Sequence, residues 1–254
     1  MKKFTILLSA MFALSAACFA DDVNPQDIDP QAPAVDTQIS NYDGEGYYRL
    51  KNASGRYLKT FGKVLDTTFT PEAIKILADL GCRIKGYDTN ENTEAAAGTC
   101  VHNIFAVYDP TRSHEENVEK ATNIRNGNNM YEIIPDVEKV IISIEHLYAW
   151  LEQTYGKASS VKHEVPFIHP LPGQVVNGEI DLLWMLNDQE CVLIDFKNFP
   201  GDKASIMNAE NRHYAGNYAS QLKAYREVLQ ASDLTVKDTL IYYSVMGCIV
   251  RLKL

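Results

Sequence analysis

The sequence predicts an α/β fold with a mixed central β-sheet flanked by helices. From about residue 95 onward, the residue patterns follow the order helix, three strands, helix and two strands. Strands interleaved with helices in this way form a sheet covered by helices. Two apolar runs, Ile180–Leu186 and Val192–Phe196, have the length and composition of buried strands, and Asn187-Asp188-Gln189 between them indicates a hairpin turn.

The helices are predicted from apolar periodicity and from start and stop signals. One helix begins after the cap Thr70, with Pro71 in its first position, and runs to Leu80 before Gly81. The other predicted helices cover Ala95–Tyr108, Val137–Tyr155 and Tyr214–Gln230. The predicted strands cover Lys162–Ile168, Gly178–Leu186, Cys191–Asn198, Thr239–Val245 and Cys248–Leu254, the last two forming a hairpin around Met246-Gly247.

The first part of the chain has a different composition. Residues 1–20 have a basic start, an apolar stretch and a small residue at the end, which is typical of a signal peptide. A lipoprotein cleavage site before Cys18 is the alternative. Residues 21–45 read as a disordered acidic linker and residues 46–68 as a short β-hairpin segment, which leaves residues 69–254 as the main domain. The signal predicts a periplasmic or secreted protein, or a cytoplasmic one if the N-terminus is a chimeric addition.

Charge and cysteine content exclude few functions. The net charge is −9, but residues 1–46 hold two bases and seven acids, so the remainder has 22 bases and 26 acids, a balance of −4. Such weak acidity does not exclude an anionic substrate, because the local field decides binding. None of the five cysteines forms a Cys-x-x-Cys pair, so a zinc or redox motif is not expected. Cys191 and Cys248 are predicted to be small buried residues, and disulfides among the four cysteines after Cys18 stay open.

The predicted strands carry acidic residues inside apolar runs. Asp181 lies inside the first run and Asp195 inside the second, two positions before Lys197. Residues two apart on a strand point to the same face, so Asp195 and Lys197 project together. A buried carboxylate is costly unless it is paired or binds a metal. The pattern therefore predicts a cation site beside a lysine; the alternative is a surface ion pair at a strand end, with Asp181 unrelated to it.

Five sequence elements occur in an order that resembles a known family. They are His102 after Gly98-Thr99-Cys100-Val101, Glu164 in His163–Phe167, Gly178-x-x-Asp181, Asp195-x-Lys197 and Gln221-x-x-x-Tyr225. Together they resemble the PD-(D/E)XK nuclease superfamily in its RecB/AddA-type branch, as found at the C-terminus of UvrD/RecB-like helicases. The resemblance implies a restriction-endonuclease-like core and a metal-dependent DNA nuclease, acting as an exonuclease on single strands or ends in DNA repair or recombination.

The resemblance also implies a role for each matching residue. Mg²⁺ or Mn²⁺ would be bound by His102, Asp181, Asp195 and the backbone carbonyl of Phe196. Lys197 would position the attacking water and offset charge on the phosphate, and Glu164 would be a further catalytic or structural residue. Gln221 and Tyr225, one helical turn apart, would bind the substrate strand.

Other interpretations of these residues stay open at this point. His102 could be a core histidine, and Glu164 a strand-end acid paired with Lys162. The whole domain could be a non-catalytic nuclease-fold module that binds DNA or a protein, or the chain could be a secreted glycan-binding protein. No Gly-x-x-x-x-Gly-Lys-Ser/Thr phosphate loop occurs in the sequence. The sequence therefore predicts no unwinding activity of its own. The resemblance implies DNA as the partner, preferably single strands or ends, with a helicase as a second partner, and no membrane contact is expected once the signal is removed.

Overall fold

The structure is a computed structural model that describes residues 50–51, 57–59, 71–81, 91–171, 174–199, 201–211 and 213–254. The predicted signal peptide of residues 1–20 and the acidic linker of residues 21–45 lie outside the described residues. Both, and the location that the signal implies, stay predictions. Within the predicted hairpin segment, strands β1 (Leu50–Lys51) and β2 (Tyr57–Lys59) pair antiparallel.

The remaining described elements occur in groups along the chain, in the order one strand, three α-helices, three strands, two α-helices and two strands. The helices are α1 (Glu91–Val107), α2 (His114–Gly127), α3 (Val137–Tyr155), α4 (Lys203–Met207) and α5 (Ala219–Ala231). The strands are β3 (Ile74–Asp79), β4 (Ser160–Leu171), β5 (Gln174–Met185), β6 (Glu190–Lys197), β7 (Thr235–Tyr243) and β8 (Cys248–Leu252). None of the helices in the described ranges combines the length and the apolar composition needed to cross a membrane.

Strands β3 to β8 form one mixed sheet, which confirms the predicted fold class. The six strands lie in the order β3-β8-β7-β6-β5-β4. The pairing of β6 with β7 is parallel and the other pairings are antiparallel. Two parallel neighbours need a crossover connection, and helix α5 lies within the segment that joins β6 to β7. This six-stranded sheet flanked by helices is consistent with a restriction-endonuclease-like core.

The core occupies both faces of the sheet, as the alternation of side chains along a strand requires. Leu182 and Ile194 belong to one buried cluster, together with apolar residues of α1 and α3. Leu183 and Leu193 belong to the other, together with apolar residues of α5. Positions in β5 and β6 therefore alternate between a face covered by α1 and α3 and a face covered by α5.

Most predicted elements are present with ends shifted by a few residues. Helix α3 has the predicted bounds. The predicted helix of residues 214–230 is a 3-10 turn at Ala215–Tyr218 followed by α5. The β7–β8 hairpin turns where predicted, with the Met246 N–H donating to the Tyr243 carbonyl at 3.1 Å and with Gly247 at a φ of +67°.

The helix predicted over residues 70–80 is wrong. Pro71–Ala73 form a 3-10 turn, and the residues that follow form β3, which pairs antiparallel with β8. The signals for a helix start are local, whereas Ile74 and its neighbours gain a hydrogen-bonded partner strand from the other end of the domain. Tertiary pairing here overrides local preference.

Helix α2 was not predicted, because its apolar residues are few, namely Val118, Ala121 and Ile124, and the rest of the segment is polar or charged. It is defined at its start by a capping box, in which the Ser113 side chain accepts from the Glu116 N–H and the Glu116 side chain accepts from the Ser113 N–H. Few of its residues are buried, and these are Asn117 and Ala121. A helix that lies on the surface in this way has little amphipathic signal.

Three of the cysteines are described, and all three are buried free thiols: Cys100, Cys191 and Cys248. This burial confirms the prediction that Cys191 and Cys248 are small core residues. Burial raises the pKa of each of these two thiols to about 11.

Candidate metal centre

The acidic residues of β5 and β6 lie where these two strands separate. Leu182 and Ile194 form the last ladder pair on the side of the site. One position farther on, the carboxylate of Asp181 accepts a hydrogen bond from the backbone N–H of Phe196, at 2.5 Å. The side chain thus takes the place of a strand partner and ties the two strands together at the point where they diverge. This geometry brings Asp181 and Asp195 toward one site, as the sequence predicted.

Three side chains from separate elements converge at this point. His102 of α1, Glu164 of β4 and Asp181 of β5 each offer one ligand atom, and these atoms lie within 4.8 Å of one another. His102 Nδ1 is 3.8 Å from Asp181 Oδ1. The backbone of Phe196 lies close enough to the His102 imidazole to raise its pKa slightly, against the larger lowering by burial and by Lys197. His102 therefore lies beside two carboxylates, with its side chain 27% exposed, and its role as a ligand stays a prediction.

Glu164 has an unusual backbone for a strand residue. Its φ is +45°, and it lies between the ladder pairs His163↔Leu182 and Val165↔Ile180. A residue other than glycine in this region costs about 1–3 kcal/mol and is most often found at functional sites. Its Oε1 is buried and has no hydrogen-bond partner among the described residues. A buried acceptor left without a donor is costly, and a bound cation would satisfy it.

Asp195 and Lys197 form a buried ion pair beside this cluster. Lys197 Nζ is 2.6 Å from Asp195 Oδ2, and the Asp195 side chain is 1% exposed. The interpretation as a surface pair at a strand end is therefore wrong.

Helix α5 supplies the third side of the site. The Gln221 amide donates to Asp195 Oδ1 at 3.4 Å and to the Tyr225 hydroxyl at 2.6 Å, as the one-turn spacing of these residues predicted. The ring of Tyr218 lies 4.7 Å from Lys197 Nζ, which is a cation–π distance. Tyr218 was not predicted, although its position three residues before Gln221 places both on one helix face.

The electrostatics of the site are those of a crowded set of carboxylates. Burial raises the pKa of Asp181 and of Asp195, each to about 6, against the lowering effect of Lys197. Burial, followed by the charge of Asp181, raises the pKa of Glu164 to about 8. Burial and then the Lys197 charge lower the pKa of His102 to about 4. Burial would lower the pKa of Lys197, but Asp195 and Asp181 raise it.

This donor set fits a hard divalent cation. The imidazole is neutral, so a ring nitrogen can act as a ligand, and the remaining donors are carboxylate oxygens and a backbone carbonyl. A cation would offset the burial of these carboxylates, which is the largest cause of their raised pKa values, and the smaller repulsion from neighbouring carboxylates. It would also supply the partner that Glu164 Oε1 lacks. The structure therefore brings together the ligand atoms of His102, Glu164 and Asp181. The predicted ligand Asp195 is not one of these three residues; its carboxylate contacts Lys197 and Gln221 beside them, and Gln221 contacts Tyr225.

Comparison with known proteins gives a partial similarity. No protein-family model matches the chain. The chain is 29% identical over 161 residues to an ATP-dependent helicase/nuclease subunit from Anoxybacillus flavithermus, a match that covers 59% of this chain and 13% of that protein. The chain thus spans a small part of the length of this relative. The similarity suggests a relation to RecB-like nucleases.

Proposed function

We propose that the chain is a metal-dependent DNA nuclease of the RecB/AddA-type branch of the PD-(D/E)XK superfamily, with residues 69–254 as the nuclease domain. It would hydrolyse phosphodiester bonds as an exonuclease on single strands or ends during DNA repair. The observation that carries the proposal is the convergence of His102, Glu164 and Asp181 within 4.8 Å beside the buried Asp195–Lys197 pair. The similarity to a protein named as a helicase/nuclease component supports it.

Mg²⁺ or Mn²⁺ would be held by His102, Asp181, Asp195 and the backbone carbonyl of Phe196, with Glu164 as a further oxygen donor. When bound, such an ion polarises a phosphoryl oxygen and lowers the pKa of a water molecule. The protein contributes the fixed arrangement of these donors. Because they come from α1, β4, β5 and β6, the folded sheet, rather than a flexible loop, sets their positions.

Lys197 would act on the attacking water and on the phosphate. Its ammonium group is held between the Asp195 carboxylate and the Tyr218 ring, which limits the directions in which it can donate. An ammonium in that position can orient a water molecule and offset negative charge that develops on the phosphate. The Gln221 amide, bonded to both Asp195 and Tyr225, would keep the Asp195 carboxylate in the orientation that Lys197 requires.

The preferred substrate follows from what the sequence lacks. Because no phosphate-loop motif occurs in the sequence, we propose that the chain does not separate duplex strands by itself. Single strands and ends would then be its substrates, and a helicase partner would supply unwound DNA.

The test uses the purified full chain on labelled single- and double-stranded DNA, with and without Mg²⁺. Asp195→Asn and Lys197→Ala should each reduce Mg²⁺-dependent cleavage by at least about 100-fold, the lower range for loss of a group that acts in the chemical step. Matched controls are Asp188→Asn and Lys162→Ala, which change an exposed acid and an exposed lysine and should cleave like the unmodified chain. Far-UV circular dichroism checks that all four variants fold.

Two results would contradict the proposal. Unchanged cleavage in the Asp195 and Lys197 variants would reject the assignment of the site. DNA binding by the unmodified chain without cleavage in Mg²⁺ or Mn²⁺ would instead identify a non-catalytic nuclease-fold module.

A further inference from the structure

The side chain of Asn198 connects two parts of the site that are far apart in sequence. It follows directly after Lys197, and its amide nitrogen donates to the backbone carbonyl of Gly98 in α1 at 3.0 Å. Its amide oxygen accepts a hydrogen bond from the Ser244 hydroxyl. Because a backbone carbonyl can only accept, the bond to Gly98 requires the amide nitrogen to face α1, and the amide oxygen then faces the Ser244 hydroxyl, which donates to it. The Asn198 amide is therefore held at both ends, and the Gly98 carbonyl fixes its orientation.

The bond to α1 lies one helical turn from a predicted metal ligand. Gly98 and His102 are four residues apart in α1 and thus lie on the same face of the helix. The other interactions that hold this helix are mainly those of buried apolar side chains, such as Val101 and Ile104. Apolar packing has no preferred direction, whereas a hydrogen bond is restricted in distance and angle. The Asn198 bond is thus a directional contact on this face of α1 among the residues that the structure describes.

The other anchor of Asn198 is itself tied to the core. Ser244 is fully buried, and its backbone N–H donates to the Lys197 carbonyl at 3.0 Å. Its own carbonyl accepts from the Ser143 hydroxyl of α3 at 3.0 Å, and Ser143 Oγ lies 2.6 Å from the Tyr242 hydroxyl. Ser244 therefore holds both the main chain of Lys197 and the side chain of Asn198.

We propose that Asn198 is a positioning residue, which holds α1 against the end of β6 and thereby sets the place of His102 relative to Asp181 and Lys197. It would not touch the ion or the substrate. This inference depends on the proposed function, because it assumes that His102 is a metal ligand. It assigns a role to a residue outside the five elements that predicted the site.

The test measures metal affinity rather than activity. Mn²⁺ is titrated into the full chain, and the free ion is followed by electron paramagnetic resonance. Asn198→Ala should weaken Mn²⁺ binding by about 10- to 100-fold, the range for loss of a residue that orients a ligand. In Asn198→Ser, the new hydroxyl can still bond to Ser244, but the shorter side chain does not reach Gly98. This variant should therefore weaken Mn²⁺ binding as much as Asn198→Ala does, with a smaller loss of folding stability.

The matched control is Ser143→Ala, which removes a hydrogen bond from the same buried network without touching the bond to α1. Its Mn²⁺ affinity should stay within about 2-fold of the unmodified chain, well below the loss expected for an orienting residue. Equal affinities for Asn198→Ser, Ser143→Ala and the unmodified chain would overturn the inference. If the unmodified chain itself does not bind Mn²⁺, the proposed function fails instead, so the two failures are distinguishable.

Discussion

Gly178 provides a test of how the wall of the site is built. It pairs across the β4–β5 ladder with Phe167, and a Cβ atom added at Gly178 would lie 2.8 Å from Cζ and 2.9 Å from Cε1 of the Phe167 ring. That ring packs edge-on against Tyr225, with 5.4 Å between the ring centroids. Tyr225 in turn accepts the hydrogen bond from Gln221. The structure therefore explains the glycine of the Gly-x-x-Asp element by the ring that covers it.

Gly178→Ala should destabilise the fold by about 1–2 kcal/mol. Overpacking of a filled site costs about 1–3 kcal/mol, and loss of the aromatic pair between Phe167 and Tyr225 costs about 0.5–1.5 kcal/mol. The lower part of the combined range applies because the clashing atoms are at the far end of a ring that can rotate. In a Phe167→Ala background the clash is absent, and replacing a strand glycine should then stabilise by about 0.5–1 kcal/mol.

The assay is urea unfolding of the unmodified chain, the two single variants and the double variant, which together form a double-mutant cycle. We expect a coupling energy of roughly 2 kcal/mol between positions 178 and 167, from the two effects above taken together. If Gly178→Ala has the same effect in both backgrounds, within about 0.5 kcal/mol, the ring does not occupy the space above the glycine and the reasoning is refuted.

Two further predictions concern helix α2. Ser113→Ala should lower the free energy of unfolding by about 1 kcal/mol, because it removes the hydroxyl that caps the helix; an unchanged urea midpoint would contradict this. The second prediction concerns His114, which lies 2.8 Å from Glu145, a hydrogen bond that raises its pKa. A raised histidine pKa stabilises the fold below the ordinary value of about 6.5 and ceases to do so as the pH rises through the folded value. The stability difference between the unmodified chain and His114→Gln should therefore shrink between about pH 6 and pH 8, and a difference that grows would contradict this.

The elements with strong periodicity were predictable from the sequence. Helix α3 has a regular apolar stripe and a clear glycine end, and its bounds were predicted without error. Strands β5 and β6 are short apolar runs that can satisfy their backbone groups with each other across a short turn. Prediction from local pattern failed for residues 71–79. The strand in this segment is formed by pairing with β8, which lies more than 160 residues away in the sequence.

The order of His102, Glu164, Asp181, Asp195 and Lys197 was sufficient to select residues that lie near one another in the fold. Their roles as ligands and catalytic groups stay predictions. Their geometry was not predictable: the αL backbone of Glu164, with its carboxylate beside His102 and Asp181, has no sequence signal. The sequence predicted only a secondary role for Glu164, whereas the structure places its carboxylate within 4.8 Å of the ligand atoms of His102 and Asp181.

Tyr218 and Asn198 were missed for a related reason. Each belongs to the site only through a partner on another element, Lys197 for Tyr218 and Gly98 for Asn198. A tyrosine at the start of a helix and an asparagine at the end of a strand are ordinary residues in any sequence.

The sequence by itself determined which segments are apolar, where the chain turns and which side chains carry charge, because these depend on residue type and on spacing within a few positions. The tertiary structure alone decided which strand pairs with β3, how β5 and β6 separate at Asp181, and which polar groups lose their water. The raised pKa values of the carboxylates and the unpartnered oxygen of Glu164 follow from that burial. Local pattern depends on neighbours in the chain. The burial of the carboxylates and the meeting of the site's side chains depend instead on segments that the fold brings together from up to about 100 positions apart.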